Sequence, residues 1–196
     1  MKKIQYFLCV LFAAALLAGC DNDDDGFYNE KYINAANLVS IDIQPSYTVG
    51  GYLFVKADFS NIIAEAGQVT PLDIYQTTHG ATGFVFTYTL EKQIDGTTWA
   101  PVTIETSQLN VIKGSAQSGA FVLAKALYNA SDLTYEYNVG LPLLAVGQYR
   151  LSFGVNSDSN TEIELRSDTQ GNNLFLNIIS TTAQLDSAGY YTFSVQ

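Results

Sequence analysis

The stretch Gly83-Phe84-Val85-Phe86-Thr87-Tyr88-Thr89-Leu90-Glu91-Lys92-Gln93 decides the fold class. In an extended chain Phe84, Phe86, Tyr88 and Leu90 fall on one side, and Val85, Thr87, Thr89 and Glu91 on the other. Alternation with period two, carried by aromatic and β-branched residues, is how a strand with one buried face reads. A helix would scatter the same residues around its axis. Directly after it, Ile94-Asp95-Gly96-Thr97 offers an Asp-Gly pair suited to left-handed turn geometry, and Trp99 to Ile104 is expected to return as the antiparallel partner.

Outward from this hairpin the same period recurs. Upstream, Val39, Ile41 and Ile43 alternate with Ser40, Asp42 and Gln44 until Pro45 stops the run. Gly50-Gly51 opens a second run in which Leu53, Val55, Ala57 and Phe59 share a face opposite Lys56 and Asp58. Between Asn61 and Gly80 the pattern weakens: Ile62 to Ala66 fits a short helix or a continued strand, and Leu72 to Thr77 fits a brief edge strand. Downstream, strands are expected over Ala120 to Leu127, Leu133 to Val139, Gly147 to Val155, Glu162 to Leu165, Leu174 to Ile179 and Tyr190 to Val195. Gly114 to Gly119, Asn129 to Asp132, Asn156 to Asn160 and Ser167 to Asn173 separate them with turn formers. Roughly eleven short strands without a long amphipathic helix predict an all-β domain over residues 37–196.

The hairpin at Asp95-Gly96, with its charged tip and Trp99 just after the turn, resembles the strand pairs of immunoglobulin-like modules in Bacteroidota surface proteins. Leu144 to Leu151, around Tyr149, and Asp186-Ser187-Ala188-Gly189-Tyr190-Tyr191 each resemble a tyrosine corner, in which a Tyr entering a strand bonds back to a nearby turn. The resemblance implies an immunoglobulin-like Greek-key β-sandwich with extra strands. A closed lipocalin-like β-barrel is the alternative, because period two does not separate the two.

The amino terminus gives an address. Lys2 and Lys3 precede an apolar run from Ile4 to Leu17, too short to be kept as a spanning helix and typical of a secretory signal. It ends in Leu17-Ala18-Gly19-Cys20, which resembles the lipobox of bacterial lipoproteins. That resemblance implies a signal peptide over 1–19, cleavage before Cys20, acyl chains on Cys20 that hold the protein in the outer membrane, and a lipidated acidic tether over 20–36. The acidic residues Asp21, Asp23, Asp24 and Asp25 resemble the export signal of Bacteroidota surface lipoproteins, which implies display on the cell surface.

Charge and cysteine content narrow the function. The chain has nine Lys+Arg and nineteen Asp+Glu; loss of Lys2 and Lys3 with the signal leaves seven basic residues and a formal charge of about −12. Such a chain repels polyanions, and nucleic acid is not an expected partner. With Cys9 in the signal and Cys20 lipidated, no disulfide is expected, so stability must come from an ordinary core.

Catalytic side chains are scarce. His79 is the sole histidine, lies in the turn-like Thr77-Thr78-His79-Gly80, and has no serine in a Gly-x-Ser-x-Gly turn to serve. A zinc site would lack its nitrogen and sulfur ligands. Asp21-x-Asp23-x-Asp25-Gly26 opens like a calcium loop, yet Tyr32 occupies the position that needs a bidentate carboxylate, and Glu30 comes two residues early. No catalytic residue, metal or cofactor is therefore expected. Asp186-Ser187-Ala188 resembles an O-glycan attachment sequence of exported Bacteroidota proteins, which makes Ser187 a candidate modification site. Trp99, Tyr135, Tyr137, Tyr190 and Tyr191 are candidate platform aromatics, and of these Trp99 is the one expected to face a ligand; Tyr135 and Tyr137 share a face with Leu133 and Val139, which favours burial. The expected function is a non-enzymatic binding or assembly module for a glycan or extracellular protein. The alternative is a barrel carrying a small apolar ligand.

Overall fold

The computed structural model describes residues 29–65, 67–154, 159–169 and 174–196. Cys20, Asp21, Asp23, Asp24, Asp25 and the signal segment 1–19 lie outside the described residues. The all-β expectation holds. Among the described residues thirteen strands join in one large curled sheet, and two short ones, β4 (Ile62–Ile63) and β5 (Leu72–Asp73), pair separately.

The deciding stretch is β6 (Gly83–Gln93), and the molecule is arranged around it. Its first half pairs with β10 (Val122–Asn129) on one edge and β13 (Glu162–Ser167) on the other. Its second half pairs with β7 (Trp99–Pro101) and β12 (Gly147–Ser152), and β12 in turn pairs with β15 (Tyr191–Val195). From β10 the sheet continues through β11 (Thr134–Pro142) and β3 (Tyr52–Ser60) to β2 (Val39–Asp42). From β13 it continues through β14 (Phe175–Thr181) to β1 (Glu30–Asn34), which runs parallel to β14. The sheet thus takes in residues 30–34, which the sequence reading leaves in the tether.

The inward face of β6 is the predicted one. Phe84, Phe86, Tyr88 and Leu90 are buried and meet rings from other strands: Phe84 sits edge-on to Tyr135 at 4.8 Å, Phe86 to Tyr137 at 5.1 Å, and Tyr88 to Phe153 at 5.9 Å. Tyr135 and Tyr137 are buried as their alternation requires, and their hydroxyls find partners, Tyr135 on the Ala81 carbonyl (3.1 Å) and Tyr137 on the Tyr88 hydroxyl (2.7 Å). These rings, with aliphatic side chains such as Leu53, Val55, Leu151 and Leu165, fill the space inside the curl.

A closed barrel is not what forms. β1 and β2 end the two arms of the sheet, and among the described residues no strand pairs with the outer edge of β2. That edge is met by a side chain: the Ile41 amide donates to Gln184 Oε1 (2.6 Å) and Gln184 Nε2 donates to the Ile41 carbonyl (2.7 Å). One carboxamide has one donor and one acceptor on the right side to imitate a single backbone residue, so the ladder stays open there.

Several local expectations are also revised. Gly96 is not left-handed, because the reversal is spread over residues 94–98, closed by Ile94 donating to the Thr98 carbonyl (2.9 Å) and by the Asp95 carboxylate accepting the Thr97 (3.0 Å) and Thr98 (2.7 Å) amides. Those amides hold the Asp95 carboxyl below the usual carboxylate range. The strand from Trp99 ends at Pro101, which has no N–H for a ladder. Extended chain after Pro71 stops at Asp73, whose carboxylate accepts the Gln76 amide (2.9 Å) and caps one helical turn, Ile74–Thr77, with Ile74 buried beneath it. The stretch Gly114 to Gly119, expected as a turn, instead contributes β9 (Ser115–Ser118), which pairs with β10, and its Gly114 joins β9 to β8 (Asn110–Lys113), which pairs with β11.

Candidate functional site

Outward positions of β6 and β12 build the site. In β12, Tyr149 and Leu151 turn into the core, which leaves Arg150 and Ser152 outward; in β6, Leu90 turns in and Thr89 and Glu91 turn out. The register sets Arg150 opposite Glu91, and Arg150 Nε donates to Glu91 Oε2 at 2.6 Å with about a fifth of each side chain exposed (21% and 18%). A half-buried pair of this kind is screened less than one in open water.

Two rings hold the same guanidinium. It lies 4.6 Å from the Trp99 ring centroid and 4.0 Å from that of Tyr190. Arg150 is therefore fixed by an ion pair and by two cation–π contacts, each worth about 0.5–2 kcal/mol depending on desolvation. Of the five candidate platform aromatics, the fold buries Tyr135 and Tyr137 and bonds the Tyr191 hydroxyl to Tyr47 (3.1 Å). Trp99 and Tyr190 remain half-buried at the surface, joined through Arg150.

Tyr190 is positioned by the turn before it. Asp186 Oδ1 accepts the amides of Ala188 (2.9 Å) and Tyr190 (3.0 Å), and the Asp186 amide donates to the Tyr190 carbonyl (2.9 Å). Ser187 is exposed on this turn, which leaves its hydroxyl accessible. Only the first of the two expected tyrosine corners makes its bond, Tyr149 donating to the Ala145 carbonyl at 2.8 Å. In the second, Tyr190 goes to Arg150 instead.

Beside Tyr190 lies an open depression of about 220 Å³, with Thr89, Glu91, Ser152 and Asn160 among its walls. Gly189 (φ +85°) lets the turn sit against Asn160, since a Cβ there would come within 2.2 Å of the Asn160 carbonyl oxygen. A larger groove of about 480 Å³ lies on the outer face between β6 and β13, beside Arg166, which pairs with Glu30 (2.6 Å) and covers Phe175 (4.8 Å). Nearby, Lys125 bonds Asp168 and holds its carboxyl below the usual range. His79 is exposed and ends the helical turn in a left-handed conformation (φ 53°).

The two ends of β6 separate Asn29 from this site. The Asn29 carbonyl accepts the Phe175 amide (2.7 Å), and Asp168 donates to Gly83 (2.8 Å), so the chain enters near the start of β6. Trp99 pairs with Gln93 at its other end. At a rise of ~3.3 Å per residue the two lie roughly 33 Å apart along the strand.

Sequence reading singled out Trp99 and weighed Tyr190, but it missed Glu91 and Arg150 as a pair. The available signal was a charge at an outward position in each of two strong strands; that they face one another depends on register. Set against known protein families, curated proteins and solved structures, the chain matches none of them.

Proposed function

We propose that this chain is a non-enzymatic binding or assembly module, held at the outer membrane by acyl chains on Cys20, displayed on the cell surface, and presenting the face around Trp99, Arg150 and Tyr190 to a glycan or extracellular protein. The observation that carries this reading is the guanidinium of Arg150 held between two aromatic rings and paired to Glu91, a rigid aromatic and polar surface beside an open depression. Pre-organised surfaces of this composition lose little entropy on binding. The position of the site at the end of β6 away from the chain's entry supports presentation away from a bilayer. The proposed module is an immunoglobulin-like Greek-key sandwich, a reading supported by the tyrosine-corner bond of Tyr149. The apolar-carrier reading has the ring-filled interior against it, with Tyr88, Tyr135, Phe84 and Phe86 at 0–1% exposure.

Trp99 is the sole tryptophan, so its emission reports on this face directly. Titrating full-length protein in detergent with surface glycans and extracellular proteins is expected to shift or quench that emission saturably for at least one of them. If binding to such partners is detected by mass change while Trp99 emission stays constant, the face is wrong.

Surface display is tested on cells. Protease added to intact cells is expected to remove the native protein and to spare a variant in which Asp23, Asp24 and Asp25 are changed to Ala. Protection of both, with both lost on lysis, would place the domain in the periplasm.

A further inference from the structure

We infer that the depression beside Tyr190 takes one ring of a neutral sugar, an inference that rests on the binding face proposed above and names its ligand. Size is the first argument. About 220 Å³ is below the ~300 Å³ at which sites for drug-sized molecules begin, and it suits a single six-membered ring.

The walls supply the second. Thr89 and Ser152 bring hydroxyls that both donate and accept, Asn160 brings a carboxamide, and Glu91 brings a carboxylate that only accepts. Four polar side chains lining so small a volume match a ligand that carries a hydroxyl on nearly every carbon. Tyr190 adds an aromatic wall with one ring face already covered by Arg150, so a single face is left against which the carbon-bound hydrogens of a sugar ring can leave water.

Charge is the third. Among the described residues no lysine, arginine or histidine lines the depression, and Arg150, the cation next to it, is taken by Glu91 at 2.6 Å. An anionic ligand would meet the Glu91 carboxylate with no free cation to offset the repulsion. A cationic one would have to compete with Arg150 for the same carboxylate. Neutral polyols incur neither cost.

The walls are also fixed before any ligand arrives. Glu91 is held by Arg150, Tyr190 by Arg150 and by the Asp186 turn, and the close contact of Gly189 with Asn160 sets the distance between the two loops.

The test is saturation-transfer NMR on the full-length protein in lauryldimethylamine oxide micelles, a detergent without a sugar headgroup. The probes are the methyl glycosides of glucose, galactose and mannose, with glucuronate as the anionic comparison. At least one neutral glycoside is expected to bind saturably in the millimolar range, with the strongest transfer at its ring C–H protons, and about tenfold more tightly than glucuronate. Tyr190→Ala is expected to weaken it by about tenfold or more, and Asn160→Ala, which trims an exposed side chain and leaves the fold untouched, by about threefold to tenfold. Glucuronate binding as well as or better than the neutral glycosides overturns the ligand class. So does neutral binding that Asn160→Ala and Tyr190→Ala leave unchanged. If no monosaccharide binds while a larger glycan or a protein still moves Trp99 emission, the sugar-ring inference fails and the binding face stands.

Discussion

Replacing Gly114 by Ala is expected to destabilise the domain by about 2–5 kcal/mol. The strands β10 and β11 hold each other only where Leu127–Asn129 faces Thr134–Glu136; beyond that they diverge, and the segment 110–118 enters the fork. Its β8 arm pairs with β11 at Asn138 to Gly140, and its β9 arm pairs with β10 at Val122 to Lys125. Gly114 sits at the apex between them with φ +78°, and a Cβ there would come within 2.7 Å of the Lys125 carbonyl oxygen, 2.8 Å of the Tyr137 ring and 3.0 Å of the Glu136 carbonyl oxygen. Two of these atoms belong to backbone that is already in a ladder, so neither yields without breaking pairing. Gly50 separates the causes. Its φ is similar, +84°, but nothing lies within 4 Å of its Cβ position, so Gly50→Ala carries only the conformational penalty, about 1 kcal/mol. Urea unfolding of the two variants measures the difference, and equal losses would refute the wedge.

The second large effect is at the centre of the core. Tyr88 and Tyr137 are buried with their hydroxyls 2.7 Å apart, and among the described residues each hydroxyl has the other as its hydrogen-bond partner. Tyr137→Ala is expected to cost about 3–5 kcal/mol, because a large ring is lost from a site that its neighbours cannot collapse to fill. Tyr137→Phe and Tyr88→Phe are each expected to cost about 1–3 kcal/mol, since each leaves a buried hydroxyl without its partner. The double Phe variant is expected to lose clearly less than the sum of the two. Additive losses would mean that the hydroxyl pair is not the source of the effect.

The same burial has a pH consequence. Loss of water raises the ionisation of Tyr88, Tyr135 and Tyr137 above the ordinary tyrosine value, with the Tyr88–Tyr137 contact pushing Tyr88 further up. A group whose ionisation is raised by folding contributes stability that is fully present below its unfolded value, about 10, and is lost as pH rises above it. Absorbance titration should therefore show exposed tyrosines ionising first and the buried ones in one step with the loss of near-ultraviolet circular dichroism. The double Phe variant should move that step to higher pH relative to its stability at neutral pH.

How much of this was legible depends on the range over which each feature is decided. The inward faces of β6 and β11, and the outward placing of Thr89, Glu91, Arg150 and Ser152, follow from alternation along single strands. The β8 and β9 arms escaped because their apolar signal is weak: all four residues of β8 are exposed, and Gly114 reads as a turn residue whether it ends a strand or joins two. β1 escaped because its residues are mostly exposed and polar, and it forms by docking on β14, more than 140 positions along the chain.

The sequence by itself determined the class, the core faces and the tyrosine-corner bond, because each depends on side-chain period or on neighbours a few residues apart. It also carries the whole basis for the proposed anchor, in Leu17 to Cys20, and for the proposed surface display, in the aspartates behind them. Only the tertiary structure decided that the sheet curls without closing, that Gln184 stands in for a strand on β2, and that Trp99, Glu91, Arg150 and Tyr190 form one site. Those outcomes depend on which strands become neighbours and in what register. A two-residue slip preserves every buried face, and so every feature of the alternation, yet it would part Arg150 from Glu91.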